Sequence, residues 1–206
     1  MRGYVAVVLA GGRGRRLGGP AKPVLAVGGQ PMLHRVLAAV AAAEVRVVVG
    51  PPELAASVPA GVRVVLEEPA GGGPVAAMAA GLLAVPAGAG YAAVLAADLP
   101  LLSAPAVDRL VEAIGDGDGA VYVDGSGRRQ WLCGAWRLEA LRHRVSRLAA
   151  GGPLAGRALR DLFAPLRVAA VSGATGQPPP WYDCDTPAAL AEAESFYGGS
   201  SVGGSA

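Results

Sequence analysis

Chemically versatile side chains are scarce in this chain. Two cysteines and two histidines occur in 206 residues, and Asp, Glu, Lys and Arg together make up 17%, below the roughly 25% of an ordinary globular protein. Cys133 and Cys184 stand singly and far apart. Without C-x-x-C spacing, two buried thiols are expected, not a zinc site or disulfide. His34 lies in a helix-like stretch and His143 among arginines in LRHRVSR (141–147); both are expected at or near the surface. No Ser/His/Asp or Cys/His constellation can be assembled. A net charge of +2 is too small to draw nucleic acid by bulk electrostatics. Residues 69–97 contain no Asp, Glu, Lys or Arg, yet Gly71–Pro74, Pro86, Gly88 and Gly90 interrupt them. A spanning helix needs about 20 unbroken apolar residues, so the stretch reads as loop, short helix, turn and buried strand. Met1-Arg2-Gly3-Tyr4 leads into a strand-like run without a cleavage pattern, and a cytoplasmic location is expected.

What is present is an alternation of apolar runs and helical stretches. YVAVVL (4–9), RVVV (46–49), VRVVL (62–66) and YAAVLAA (91–97) have the continuous apolar pattern of strands covered on both faces. AVYVD (120–124), RQWLCGAWR (129–137) and residues 167–171 add later strands. Helices are expected over 31–43, with proline at the first turn, then over 74–85, 104–114, 138–149 and 154–163, and from Pro187. The order predicts an α/β fold, a single-domain three-layer α/β/α sandwich with a mostly parallel, Rossmann-like sheet. The domain is expected to span 1–197, with the Gly/Ser-rich residues 198–206 a disordered tail.

The scarce charge is concentrated early, in VVLAGGRGRRLGGPAKPVLAVGG (7–29). A glycine-rich loop with cations after a buried strand suits phosphate binding. It is not a P-loop, because Pro20 stands where G-x-x-x-x-G-K-[ST] requires lysine after Gly14 and Gly19. Nor is it the dinucleotide fingerprint, whose third glycine position is Leu17. The second strand also ends in Gly50-Pro51-Pro52, without the acid that would hold a ribose.

What remains is a strand running into Leu9-Ala10-Gly11-Gly12, then Arg16-Leu17-Gly18 and Lys22. Three further segments accompany it: EEPAGGGPVAAMAAGL (67–82), AADLPLL (96–102) and YDCDTPAAL (182–190). Together these four elements, in this order over residues 4–190, resemble the molybdenum cofactor guanylyltransferases and their close relatives.

The residues themselves account for part of this chemistry. Gly11 and Gly12 let backbone approach a base or phosphate, and Arg16 and Lys22 can neutralise a triphosphate, one by forked contacts and one as a point charge. Arg13 and Arg15 either join them or face water. Asp98 is expected at the C-terminal end of a strand, where open α/β sheets bind ligands. Magnesium takes one or two carboxylates plus phosphates and waters. Asp183 and Asp185, two apart, share a face if extended, and one of them is expected to join Asp98. Thr186 and Pro187 fit a helix cap and first residue. Trp131 and Trp136 are expected in the core or a pocket wall.

The resemblance implies more. Leu9, Ala10, Gly11, Gly12, Lys22, Glu68 and Asp98 would bind nucleotide, with Glu67 able to take the place of Glu68. Arg16, Lys22 and Asp98 would serve catalysis, and Asp98, Asp183 and Asp185 the Mg2+ site. The implied reaction is attack by the terminal phosphate of molybdopterin on the α-phosphate of GTP, releasing pyrophosphate. In the family L-A-G-G goes with guanine and an A-A-G variant with cytosine. Members often carry an asparagine after the second strand; here the chain reads Gly50-Pro51-Pro52, so that contact is missing or comes from backbone. Cytidylyl transfer to the same cofactor, guanylyl transfer to another phosphorylated small molecule such as phospholactate, and a non-catalytic nucleotide-binding module are the alternatives.

Overall fold

Residues 3–11 and 24–198 are described by the structure, a computed structural model. The expectations on Gly12, Arg13, Arg15, Arg16 and Lys22, and on the tail, fall outside these residues. The chain begins with β1 (Val5–Leu9), the two-residue strands β2 (Ala26–Val27) and β3 (Gln30–Pro31), and α1 (Met32–Ala39). β4 (Arg46–Val49), a 3-10 helix at Pro52–Ala56, β5 (Val62–Val65), α2 (Pro74–Leu83), β6 (Tyr91–Ala96) and α3 (Ala104–Ala113) follow. The remainder is β7 (Gly119–Val123), β8 (Arg129–Arg137), α4 (Leu138–Ala150), α5 (Leu159–Phe163), β9 (Val168–Ser172) and α6 (Pro187–Gly198).

The larger sheet has seven strands in the order β5-β4-β1-β6-β8-β7-β9. β1 runs parallel to β4 and β6, as do β4 to β5 and β7 to β9; β8 is antiparallel to both of its neighbours. The sheet is therefore mixed and mostly parallel. Every residue of β1 is buried, because helices cover both faces. Ala6 and Val8 join a core with Leu33, Val36 and Leu37 of α1 and Val107, Leu110 and Val111 of α3. Val5, Val7 and Leu9 join another with Val75 and Met78 of α2, Leu141 of α4 and Phe163 of α5. Each fully buried valine contributes about 1.5–3 kcal/mol relative to exposure. In α1 and α3 these apolar positions recur at the three- and four-residue spacing of one helical face. Gly81 lets α2 lie close to the sheet: a Cβ there would stand 2.3 Å from Val7 Cγ1 and 3.0 Å from Val49 Cγ2.

Two helices are shorter than the sequence suggests. Pro31 ends β3 instead of entering α1, and α1 stops at Ala39, beyond which only alanines and Val40 remain before Glu44 turns its N–H to the Tyr4 carbonyl. Of 154–163, only Leu159–Phe163 is helical. Gly156 adopts φ +76° and donates its N–H to the Gly72 carbonyl, tying this segment to the turn before α2. Cys133 and Cys184 are buried thiols, not joined in a disulfide. Among the described residues no helix is long and apolar enough to cross a membrane.

Candidate active site

Strand order reverses direction at β1: the chain passes to β4 and β5 on one side and to β6 on the other. Such a switch point opens a crevice at the carboxyl ends of the strands. Gly11 and Asp98 occupy it, each two residues past its strand, with Leu9 paired to Ala96 and the Ala97 N–H donated to the Leu9 carbonyl at 3.0 Å. Ala10 is buried and anchored by its N–H to Val49, while Gly11 is exposed. Gly50 packs against Ala10: a Cβ at position 50 would lie 3.2 Å from Ala10 Cβ and 3.0 Å from Leu54 Cδ1. Only backbone is available there to a ligand.

Opposite Gly11 stands Glu67, two residues past β5. Its side chain is 5% exposed, and no other polar or charged side chain is buried among the described residues. Oε1 accepts the Gly71 N–H at 3.0 Å; Oε2 is buried without a hydrogen-bond partner among the described residues. Buried carboxylate oxygens are seldom left so. A Cβ on Gly11 would lie 3.4 Å from Oε1 and 3.7 Å from Oε2. Glu68, by contrast, is exposed. It is thus Glu67 that the structure brings beside Gly11, a distinction two adjacent acids in a loop do not reveal.

At the end of β6 three carboxylates come together. Cys184 is buried and donates its N–H to the Asp98 carbonyl at 3.2 Å, which fixes the flanking Asp183 and Asp185 beside Asp98. Thr186 Oγ1 accepts the Ala189 N–H at 3.1 Å, capping α6 as its position predicts. The Asp183 carboxyl is pushed above the ordinary carboxylate range by desolvation first, then by its hydrogen bond to Asp185 and by the charges of Asp185 and Asp98. Among the described residues no group of three or more His, Cys, Asp or Glu side chains is arranged to hold a metal ion by itself. The mutual repulsion at Asp183 nevertheless fits a cation that takes one or two carboxylates here and its other ligands from phosphate and water.

These aspartates line a cleft of about 680 Å³ together with Arg128, Arg129, Gln130, Trp131 and Trp181. Trp131 forms the wall and Trp136 is core. Burial pushes the Cys133 thiol up, which makes it a poor nucleophile. His34 is half-buried against the Ser57 carbonyl, and the exposed His143 lines a separate cavity of about 830 Å³ at the opposite end of the sheet. That cavity is larger but lies away from the motif-bearing loops. The arginine pair and Trp181 are passed over in sequence; the turn-forming GSGRR before a strand is the signal they offered.

The crevice at the strand ends thus has a glycine on one side and clustered carboxylates on the other. Residues 6–195 match the MobA-like NTP transferase domain, and the chain belongs to this nucleotidyltransferase family. A comparison with curated protein sequences finds no match. Among solved structures, the chain is similar to molybdopterin-guanine dinucleotide biosynthesis protein A from Archaeoglobus fulgidus, with 20% identity, a TM-score of 0.73, and 95% and 99% of the two chains covered. It is also similar to 2-C-methyl-D-erythritol 4-phosphate cytidylyltransferase from Thermus thermophilus, with 23% identity, a TM-score of 0.69, and 95% and 98% covered. A nucleotidyl transferase from Methanothermobacter gives 20% identity, a TM-score of 0.71, and 94% and 97% covered. At these identities the likeness establishes the fold.

Proposed function

We propose that this chain is a Mg2+-dependent guanylyltransferase that moves GMP from GTP onto the terminal phosphate of molybdopterin, with release of pyrophosphate. The observation that carries the reading is the pairing of two subsites at one switch point: Gly11 with Glu67 at the end of β1, and Asp98 with Asp183 and Asp185 at the end of β6. The L-A-G-G loop and the Oε2 of Glu67, which has no partner among the described residues, support guanine. That base presents two adjacent N–H donors to a carboxylate, whereas cytosine and adenine present a ring acceptor beside an amino group. In this reading Glu67, and not the exposed Glu68, meets the base, Leu9–Gly12 give backbone contacts, and Arg16 and Lys22 spread the triphosphate charge.

The acceptor phosphate is already an anion at neutral pH, so no side chain need remove a proton. Its oxygen forms the new bond to the α-phosphorus as the bond to the β-phosphate bridging oxygen breaks. Pyrophosphate leaves with that electron pair. The protein contributes alignment of two anions and fixed positive charge around them. Asp98 and one or both of Asp183 and Asp185 would hold the magnesium, which when bound offsets phosphate charge and polarises the phosphoryl oxygens.

The test is pyrophosphate release from GTP, CTP and ATP with molybdopterin as acceptor. Release dependent on GTP and Mg2+ is the expected result. Turnover with CTP alone would establish a cytidylyltransferase instead. Nucleotide binding by the folded protein without pyrophosphate release would leave the non-catalytic nucleotide-binding module.

A further inference from the structure

The last helix is fastened to the carboxylate site more than to the body of the sheet. Of residues 187–197 only Ala193 is buried. It shares one helical face with Leu190 and Tyr197, at three- and four-residue spacing. With Val27, Met32 and Cys184 it forms a small apolar cluster apart from the two that cover the sheet. So few buried contacts mark a segment of low local stability, and polar contacts carry much of its docking. Before its first turn, Cys184 donates its N–H to the Asp98 carbonyl at 3.2 Å. In its last turn, the Tyr197 hydroxyl donates to the Pro100 carbonyl at 2.7 Å. The segment thus grips the turn that carries Asp98 at two points. Pro100 is buried, and among the described residues no backbone N–H reaches its carbonyl. Buried carbonyls are rarely left without a donor, and Tyr197 supplies this one.

The same tyrosine closes on the β2–β3 hairpin. The Arg35 guanidinium lies 3.8 Å from its ring centroid, a cation–π contact. Arg35 Nε donates to the Val27 carbonyl at 2.6 Å and Nη2 to the Gly28 carbonyl at 2.9 Å. Three residues before Tyr197, Glu194 Oε2 accepts the Gly28 N–H at 2.8 Å. Gly28 adopts φ +56°, and a Cβ there would stand 2.6 Å from Arg35 Nη2 and 2.7 Å from Tyr197 Cγ. Glycine is therefore what lets the ring and the guanidinium meet. Neither Tyr197 nor Arg35 adds to the two cores around the sheet. Tyr197 instead stands where three segments join: the hairpin, the Asp98 turn and, through its own helix, Asp183 and Asp185.

We propose that Tyr197 is a positioning residue for these carboxylates. Its hydroxyl fixes the Asp98 turn relative to Asp183 and Asp185, and its ring locks that arrangement to the hairpin. The inference rests on the transferase reading of the site, but it demands that a side chain that is not itself a ligand govern the response to magnesium. Tyr197→Phe removes the hydroxyl and keeps the ring on Arg35; Tyr197→Leu removes both. GTP would be titrated calorimetrically at a series of Mg2+ concentrations and in EDTA, with thermal melting on the same preparations. The Mg2+ concentration giving half of the gain in GTP affinity should rise about fivefold in Tyr197→Phe, as loss of one hydrogen bond would give. In Tyr197→Leu it should rise at least about tenfold. GTP affinity in EDTA should stay within about twofold in both variants, and saturating Mg2+ should restore the unaltered affinity. Melting midpoints should shift by no more than about 4 °C, as a helix docked outside the cores allows. An unchanged Mg2+ response in both variants would overturn the proposal and leave the transferase reading standing. Losses as large in EDTA, or a far greater fall in melting midpoint, would overturn it in favour of a merely structural role. If Mg2+ does not strengthen GTP binding to the unaltered protein, the transferase reading itself fails, and this role with it.

Discussion

The carboxylate of Glu67 and the α-carbon of Gly11 face each other so closely that a methyl group on Gly11 would sit 3.4 Å and 3.7 Å from the two oxygens. One of those oxygens has no hydrogen-bond partner among the described residues. The glycine keeps open the approach that an outside donor would use. Glu67, in turn, is held at depth by the Gly71 N–H, in the turn that leads into α2.

Gly11→Ala separates folding from binding. At 3.4 Å the added methyl is in ordinary contact, so stability should change by no more than about 0.5 kcal/mol. GTP affinity should fall at least about tenfold because the methyl covers the carboxylate. Thermal melting and calorimetry on one preparation check both halves.

Glu67→Gln keeps an acceptor for Gly71 but replaces the charged acceptor pair with a mixed group. Hydrogen bonds to a charged group contribute about 1.5–3 kcal/mol, so GTP affinity should drop roughly 10- to 150-fold. CTP affinity should change far less. Glu68→Gln, on the exposed neighbour, should leave both within about twofold. Titrations of the two variants with both nucleotides decide between adjacent residues.

The Asp183 carboxyl, held above its ordinary range by desolvation, Asp185 and Asp98, makes the metal-free protein sensitive to pH. The unfolded chain releases this proton first, near the ordinary value of about 3.9. Over the window from there to the raised native value the native state binds more protons, and stability falls as pH rises. Asp183→Asn should therefore melt higher than the unaltered protein above that window and with no such gain below it. Magnesium competes with the same proton, so Mg2+ affinity with GTP present should climb with pH across the window and lose that climb in Asp183→Asn. Melting curves and Mg2+ titrations at several pH values test both.

Gly119→Ala probes the support beneath the cleft wall. The new Cβ would stand 2.2 Å from Cε3 of the buried Trp136, and overpacking of this kind costs about 1–3 kcal/mol. Because Trp136 stacks on Phe163 and Phe163 on Trp131, near-ultraviolet circular dichroism should change along with the denaturation midpoint.

Much of the fold was legible because its central strands are covered on both faces. Continuous apolar runs marked β1, β4 and β6, and Arg46–Val49 and Arg129–Arg137 match their expected spans. The β2–β3 hairpin was not legible, since two-residue strands carry no periodicity. The segment 154–158 read as helix because its composition allows one, but Gly156 spends its N–H on Gly72, a long-range contact that local sequence does not encode. In the candidate site, the place of Asp98 past a strand end was legible from the apolar run before it, and the proximity of Asp183 to Asp185 from their spacing. Which of Glu67 and Glu68 turns inward depends on how the chain leaves β5, and the places of Trp131 and Trp181 depend on Phe163 of α5 and Tyr122 of β7. Neither follows from residue order.

The central claim is a magnesium-dependent guanine nucleotide site at the switch point, and binding of GTP, CTP and ATP with Mg2+ to the unaltered protein and to Asp98→Ala tests it most directly. Tightest binding is expected for GTP, weakened at least about tenfold by Asp98→Ala, as loss of a charged contact would give. Binding of GTP no tighter than CTP, or unaffected by Asp98→Ala, would contradict it.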